Sequence, residues 1–366
     1  MKKILLVSTI LILFLQNILA QNKTQQVFNS DKILIEGRYI QDNNTYKFCY
    51  PGTAFTIKFV GTYCSVSLKS QAGYFVKSID GGAYQKFNTY EDTLNPKCEI
   101  ILAENLKNEE HTVKIILISE GLYCGPEFYG FNIDEKAKVL KPEHKKIKIE
   151  FIGNSITCGY GVEANSKEDH FADSTSNFTK SFAGITCKNL DAETMIVARS
   201  GIGIYRNFAD KTEGSDWPMP RVYENTLIND SVTTWTFDNF KPNVLVVCLG
   251  TNDLSTKGYD KEKFLVSYVE FIKKLRKHYP VAKIVLCNSP MLHYEDAQVL
   301  SDAIYNTLNT MYTGGDTRLF KFDFQEDDGS LGYGADWHPS AKRQSDNARY
   351  LTYYIETEVL KTKKKE

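Results

Sequence analysis

Four short segments concentrate the residues that could do chemistry. They are Gly153-Asn154-Ser155-Ile156-Thr157, Arg199-Ser200-Gly201-Ile202-Gly203, Gly250-Thr251-Asn252-Asp253 and Gly334-Ala335-Asp336-Trp337-His338-Pro339-Ser340. A serine hydroxyl is a poor nucleophile until a base takes its proton. An imidazole suits that task near neutral pH and can later return the proton to a leaving alcohol. Ser155 and His338 are therefore the candidate nucleophile and base. Each residue also has a plainer reading. Ser155 could cap a helix, Asn252 could shape a turn, and His338 could be a satisfied surface histidine. The other five histidines, His111, His144, His170, His278 and His293, stand in no such context. There is no HExxH motif and no His/Asp cluster, and Asp327-Asp328 reads as a solvated loop. No metal and no cofactor is expected.

The elements that must position these segments can be read from periodicity. From Ile147 onward, strand-like runs alternate with helical ones. The strand candidates are Ile147 to Ile152, Thr194 to Ala198, Val244 to Leu249, Lys283 to Asn288 and Leu319 to Phe324. Helical spacing fits Thr179 to Leu190, Lys261 to Lys277, Glu295 to Tyr312 and Ser340 to Leu360. This alternation predicts a parallel sheet covered by helices on both faces. Ligands on such sheets bind at the carboxyl ends of the strands. The first three segments directly follow a strand candidate, and the fourth precedes the last helix. Residues 31–140 read differently. Runs such as Phe55 to Val60, Phe75 to Ile79 and His111 to Ser119 are separated by Pro51-Gly52, Gly61-Thr62, Asp80-Gly81-Gly82 and Asn95-Pro96, with almost no helical periodicity. They predict an antiparallel β-sandwich. The expected organisation is a β-sandwich domain over 21–142 and an α/β domain over 143–366, with the charged stretch Glu143 to Lys146 between them.

Taken in order, the four segments resemble the blocks of the SGNH (GDSL-type) hydrolases: a serine, a glycine, an asparagine and a histidine. An all-β region followed by GNSITCGYG, LGTNDLS and DWHPS resembles the family 2 carbohydrate esterases, whose members carry a jelly-roll module before the hydrolase. The resemblance covers nearly the whole chain after residue 20. It implies a serine esterase that removes O-acetyl groups from plant-type polysaccharides or oligosaccharides such as xylan and glucomannan. In that mechanism the backbone N–H groups of Ser155 and Gly201 and the amide of Asn252 would donate to the oxyanion. One such donor is typically worth about 3 kcal/mol. Gly203 competes with Gly201 for this place. The sequence departs from the SGNH pattern twice. Asn154 stands where block one usually has an Asp. Ala335 stands where the triad Asp is usual, three residues before the histidine, while Asp336 lies only two before it. Either Asp336 orients His338 or a backbone carbonyl does. Tyr205, Trp217, Trp337 and Tyr160 lie near the blocks and are candidates for stacking on sugar rings; core packing is the alternative for each. Two other functions compete: an SGNH lipase or lysophospholipase, and a carbohydrate-binding protein with an inactive hydrolase domain.

Composition narrows the partners. The chain has 366 residues, 42% hydrophobic and 24% charged, with 22 Tyr, 21 Phe and 3 Trp, which excludes a disordered or fibrous chain. The net charge is −1. Such a balance offers nothing to track a phosphate backbone, so nucleic acid is not an expected partner. Lys2 and Lys3 followed by the apolar stretch Ile4 to Leu15 and by Ala20 read as a secretory signal over residues 1–20, implying a secreted or periplasmic protein. That stretch is short for a membrane span, and no later one is long enough. Of eight cysteines, Cys248 and Cys287 lie in apolar runs and read as core thiols, while Cys49, Cys64, Cys98, Cys124, Cys158 and Cys187 could be bridged or free.

Overall fold

Alternating β-branched and aromatic residues dictate the first part of the chain. The computed structural model describes residues 24–361, so the expected signal segment lies outside the described residues. The strands of the first part are β1 (Thr24–Val27), β2 (Ile33–Glu36), β3 (Ile40–Asp42), β4 (Thr45–Lys47), β5 (Ala54–Gly61), β6 (Cys64–Lys69), β7 (Tyr74–Ile79), β8 (Gln85–Asn88), β9 (Lys97–Ala103), β10 (Glu109–Leu117), β11 (Glu127–Asp134) and β12 (Lys138–Leu140). They pair antiparallel in two sheets. One has the order β3-β4-β11-β6-β9, with β1 also on β11. The other has the order β12-β5-β10-β7-β8, with β2 on β5. The inward residues Tyr46, Phe55, Ile57, Phe59, Val66, Val113, Ile115, Phe128 and Phe131 are fully buried between them. The Phe55 and Phe128 rings stack at 4.1 Å. No strand was expected at β11, although it is central to its sheet. Gly130, at φ +131°, breaks the alternation, and the register with β6 shifts between Phe128 and Gly130.

The second part contains β13 (Ile147–Gly153), β14 (Ala192–Ala198), β15 (Val244–Cys248), β16 (Lys283–Cys287) and β17 (Leu319–Phe322), all parallel, in the order β14-β13-β15-β16-β17. These strands are nearly continuous runs of buried apolar residues, as a sheet covered on both faces requires. The helices are α1 (Ser155–Cys158), α2 (Phe182–Asn189), α3 (Met219–Val222), α4 (Thr251–Leu254), α5 (Lys261–His278), α6 (Tyr294–Thr313) and α7 (Ala341–Tyr354). Along α5, Phe264, Tyr268, Phe271, Ile272 and Leu275 form the buried stripe. With Val299, Leu300 and Ile304 of α6 they cover one face of the sheet. Phe182 and Ala183 of α2 and Ala348 and Leu351 of α7 cover the other. The helix expected from Thr179 starts at Phe182, because Asn177 caps a separate 3-10 turn and the Ser181 hydroxyl restarts the helix by accepting from Gly184 N at 3.2 Å. The expected last helix is α-helical only to Tyr354 and continues as one π turn to Val359.

The two parts meet over apolar and ionic contacts. Ala54, Val76, Ile116 and Ile118 of the sandwich join the cluster on the α2 face. The fully buried Arg38 guanidinium lies 3.3 Å from the fully buried Glu150 carboxylate and donates to the carbonyls of Tyr223 and Asn225. All eight cysteines are free thiols, seven of them buried. No helix among the described residues is long and apolar enough to cross a membrane.

Candidate active site

Strand β13 is where the order of the parallel sheet reverses, and such a switch point opens a crevice at the carboxyl ends of the strands. Gly153, the last residue of β13, stands level with Ala198 of β14 and Cys248 of β15. The three turns that follow are therefore neighbours, and they carry Ser155, Gly201 and Asn252. Asn154 caps α1, its Oδ1 accepting from Ile156 N at 3.1 Å. Gly159, at φ +76°, ends the helix after one turn. Asn154 thus performs a capping task that the usual Asp could perform equally.

The Ser155 Oγ lies 2.8 Å from His338 Nε2. On the other side of the ring, Nδ1 faces two carbonyl oxygens, Ala335 O at 3.0 Å and Asp336 O at 3.2 Å. A carbonyl can only accept, so Nδ1 carries the proton and Nε2 is left to accept the Ser155 hydroxyl. Tyr160 stacks on the imidazole at 4.1 Å with 23° between the planes. Burial pushes the His338 pKa below its ordinary 6.5, against the two carbonyls and the Asp336 charge, which raise it.

The Asp336 carboxylate does not face His338. It accepts from the Tyr160 hydroxyl at 2.6 Å and from His170 Nδ1 at 2.8 Å, and these bonds hold its pKa below the usual range. Of the two orienters expected from sequence, the geometry gives the carbonyl. The turn achieves this with two consecutive non-glycine residues in left-handed conformations, Asp336 at φ +48° and Trp337 at φ +62°. Such conformations cost roughly 1–3 kcal/mol each and persist only when surrounding contacts impose them. Here Ala335 N donates to Gly161 O at 3.1 Å, Asp336 N to Asp169 O at 3.0 Å and Gly334 N to His338 O at 2.7 Å. Gly161 must be glycine: at φ +52°, a Cβ there would lie 2.3 Å from the Ala335 methyl.

Gly201 adopts φ +77° with open space where a Cβ would point, and its N–H has no acceptor among the described residues. Gly203 differs. Its N–H is given to Asn207 Oδ1 at 3.0 Å, and a Cβ would collide with Arg206 O at 1.9 Å. Gly203 therefore serves close backbone packing, and Gly201 keeps the free donor. Asn252 Nδ2 donates one hydrogen to Ile202 O at 2.8 Å, leaving its second. Sequence reading passed over Asp253. Its buried carboxylate accepts from the N–H groups of Ile204, Tyr205 and Arg206 at 2.8–3.0 Å, tying the third segment to the second. Burial pushes its pKa up to about 6, against those three bonds. His170, read as featureless, holds Asp336. Neither role has a local signature, because each depends on a partner 47 or more residues away.

The aromatic candidates divide. Trp337 is 51% exposed and Trp217 46%. Trp337 lies beside Tyr333 at 5.3 Å, with the Lys167 ammonium 3.6 Å over its ring. Tyr205 corrects the expectation of a sugar platform. It is 4% exposed, packs near Phe264, and its hydroxyl accepts from Asp260 N at 2.7 Å, so neither ring face is open to a ligand. Tyr160 has one face on His338 and its hydroxyl on Asp336.

Comparison with known proteins agrees with this architecture. Residues 35–142 match the family model described as carbohydrate esterase 2 N-terminal, and residues 149–351 match that of the GDSL-like lipase/acylhydrolases. The cellulase/esterase CelE of Acetivibrio thermocellus is 34% identical over 331 residues, which is 89% of this chain but 39% of that protein. An acetylxylan esterase / glucomannan deacetylase of Cellvibrio japonicus is 29% identical over 324 residues, 85% of this chain and 86% of that one. The structure of a family two carbohydrate esterase from Clostridium thermocellum, in complex with cellohexaose, superposes with a TM-score of 0.80 at 34% identity, over 89% of this chain and 98% of that one.

Proposed function

Because the chain belongs to the family 2 carbohydrate esterases, we propose that it is a secreted enzyme that removes O-acetyl groups from plant-type polysaccharides or oligosaccharides. The observation that carries this reading is the 2.8 Å contact between Ser155 Oγ and a His338 whose Nδ1 proton is held by two carbonyls. Nε2 takes the Ser155 proton as Oγ attacks the acetyl carbonyl carbon. The N–H groups of Ser155 and Gly201 and the second Asn252 hydrogen donate to the oxyanion that forms. The imidazolium then protonates the departing sugar oxygen as the carbon–oxygen bond breaks, releasing the sugar hydroxyl and leaving an acetyl-serine. Water, deprotonated by the same Nε2, attacks that ester and releases acetate. Carbonyl orientation sets the tautomer but stabilises the imidazolium less than a carboxylate would, which makes this a Ser–His dyad.

A sugar ester fits the site better than a lipid. Trp337 and Trp217 are half exposed, each with a cation over one ring face, Lys167 at 3.6 Å and Arg221 at 4.4 Å, and exposed aromatic rings of this kind stack on pyranose faces. Similar proteins are named for acetylated xylan and glucomannan, and the similar solved structure holds cellohexaose. Secretion is supported by the basic and apolar pattern of residues 1–20. The test is acetate release from acetylated xylan and acetylated glucomannan beside p-nitrophenyl acetate and octanoate. Release from a polysaccharide, with acetate far ahead of octanoate, is expected. Ser155→Ala should lower kcat by at least about 10³-fold in a folded protein. Equal rates on acetate and octanoate would favour the lipase alternative. More than half of the activity retained in Ser155→Ala would overturn the mechanism.

A further inference from the structure

The loop between β10 and β11 belongs to the sandwich but reaches the catalytic face. Its anchor is rigid: Phe178 N donates to Ile118 O at 2.9 Å, Gly121 N to Cys49 O at 2.8 Å, and Gly125 N to Gly121 O at 3.0 Å. Between these bonds stands Glu120. Its Oε2 accepts from the Ser200 backbone N–H at 2.9 Å, and its Oε1 accepts from the Ser200 hydroxyl. The Cys158 thiol at the end of α1 faces the same carboxylate, and burial together with the Glu120 charge holds the thiol pKa well above its usual value. Arg199 also faces it. One carboxylate from the first domain thus grips the turn after β14 and faces the end of the helix that carries Ser155.

Ser200 immediately precedes Gly201, and the Gly201 N–H lies in the peptide that joins them. Gly201 has no side chain with which to hold that peptide, and its carbonyl, which accepts from Phe208 N at 2.8 Å, fixes the next peptide instead. The residue sits at φ +77°, and nothing packs where its side chain would be. Glycine in such a place has wide freedom, whereas an oxyanion donor works only when fixed before the charge forms. We propose that Glu120 is a positioning residue of the active site: through its two bonds to Ser200, the β-sandwich fixes the Gly201 peptide in the orientation that donates to the oxyanion. This deepens the serine-esterase reading above and rests on it. It also gives the sandwich a part in turnover beyond packing.

The test uses the full chain with an acetyl ester. In Glu120→Ala, kcat should fall roughly 10- to 100-fold while KM stays within about twofold, because the lost contact acts on the transition state and the ceiling is one donor's share of about 10²–10³-fold. Glu120→Gln should recover kcat to within about threefold of the parent: its amide oxygen can accept the Ser200 N–H and its amide nitrogen can donate to the hydroxyl. Ser200→Ala keeps the backbone bond and should fall between the two. An unchanged kcat in Glu120→Ala, or a rise in KM alone, would overturn the proposal. So would a Gln variant as impaired as the Ala variant. Should Glu120→Ala fail to fold, Glu120→Met, which keeps the side chain's volume but removes both bonds to Ser200, takes its place, and kcat equal to the parent's there excludes the clamp. An active Ser155→Ala defeats the serine-esterase reading itself; an inactive Ser155→Ala beside a fully active Glu120→Ala defeats only the role of Glu120.

Discussion

The sandwich and the α/β half treat buried charge differently. Between the two sandwich sheets the buried residues are almost all aromatic and aliphatic. The fully or nearly buried charged side chains of that half, Glu36 and Arg38, point out of its core toward the other domain, to Thr194 N and to Glu150. The α/β half buries ionic groups in and between its loops: the Asp253 carboxylate accepts backbone N–H groups, the Arg206 guanidinium donates to the Asp253 and Thr256 carbonyls, and Asp327 lies 3.3 Å from Arg343. A closed apolar core stabilises without orienting anything. Buried carboxylates that accept backbone N–H groups define loop geometry, because each unmade bond inside a dry site is costly. The catalytic segments are loops, so they need the second kind of support, and the sandwich contributes to it only at the seam.

The seam offers the sharpest test of that contrast. Removing one partner of a buried ion pair leaves the other charged and desolvated, so Arg38→Ala should lower stability by about 3–5 kcal/mol. Breaking the exposed pair Lys241–Asp238, three-quarters or more open to solvent, should change stability by less than about 1 kcal/mol. Urea unfolding of both variants is the measurement. Equal effects would mean that the seam is no different from the surface.

A second variant separates orienting from catalysis. Asp336→Ala removes the bonds to Tyr160 and His170 but leaves both carbonyls that face His338 Nδ1. The turn should loosen and kcat fall about 10-fold, against about 10⁴-fold for a carboxylate that itself holds the imidazole. Steady-state kinetics on an acetyl ester, with folding checked by circular dichroism, distinguishes the two.

The smallest effect is on pH dependence. Burial lowers the His338 pKa. A lowered histidine pKa means that the neutral ring is favoured in the fold and persists to lower pH than in a free imidazole. The acid limb of kcat/KM should therefore have its midpoint below 6.5, recorded as a pH–rate profile. A midpoint above 6.5 would show that the carbonyls and Asp336 outweigh burial, and that the site is wetter than its packing suggests.

The order of the domains, the parallel sheet and the four segments were legible in the sequence, since each depends on local pattern. Buried strands are continuous apolar runs, turns carry Gly, Pro and Asn, and Ser155, Gly201, Asn252 and His338 each follow or precede a recognisable element. Strand β11 escaped because one glycine bulge breaks its alternation. Tyr205 was misjudged for a related reason: an aromatic beside a catalytic block looks the same in sequence whether it faces solvent or core. The choice between Asp336 and a carbonyl could not be settled from spacing. It turns on two positive φ angles, and those are imposed by Gly161 and Asp169, more than 160 residues earlier. Glu120 carries no signal at all beside Ser200, 80 positions away. Sequence alone determined which residues would be near a strand end, because that follows from hydrogen-bond periodicity and the burial of apolar runs. Only the tertiary structure decided which polar atom faces which, because that depends on how distant loops are packed and desolvated against one another.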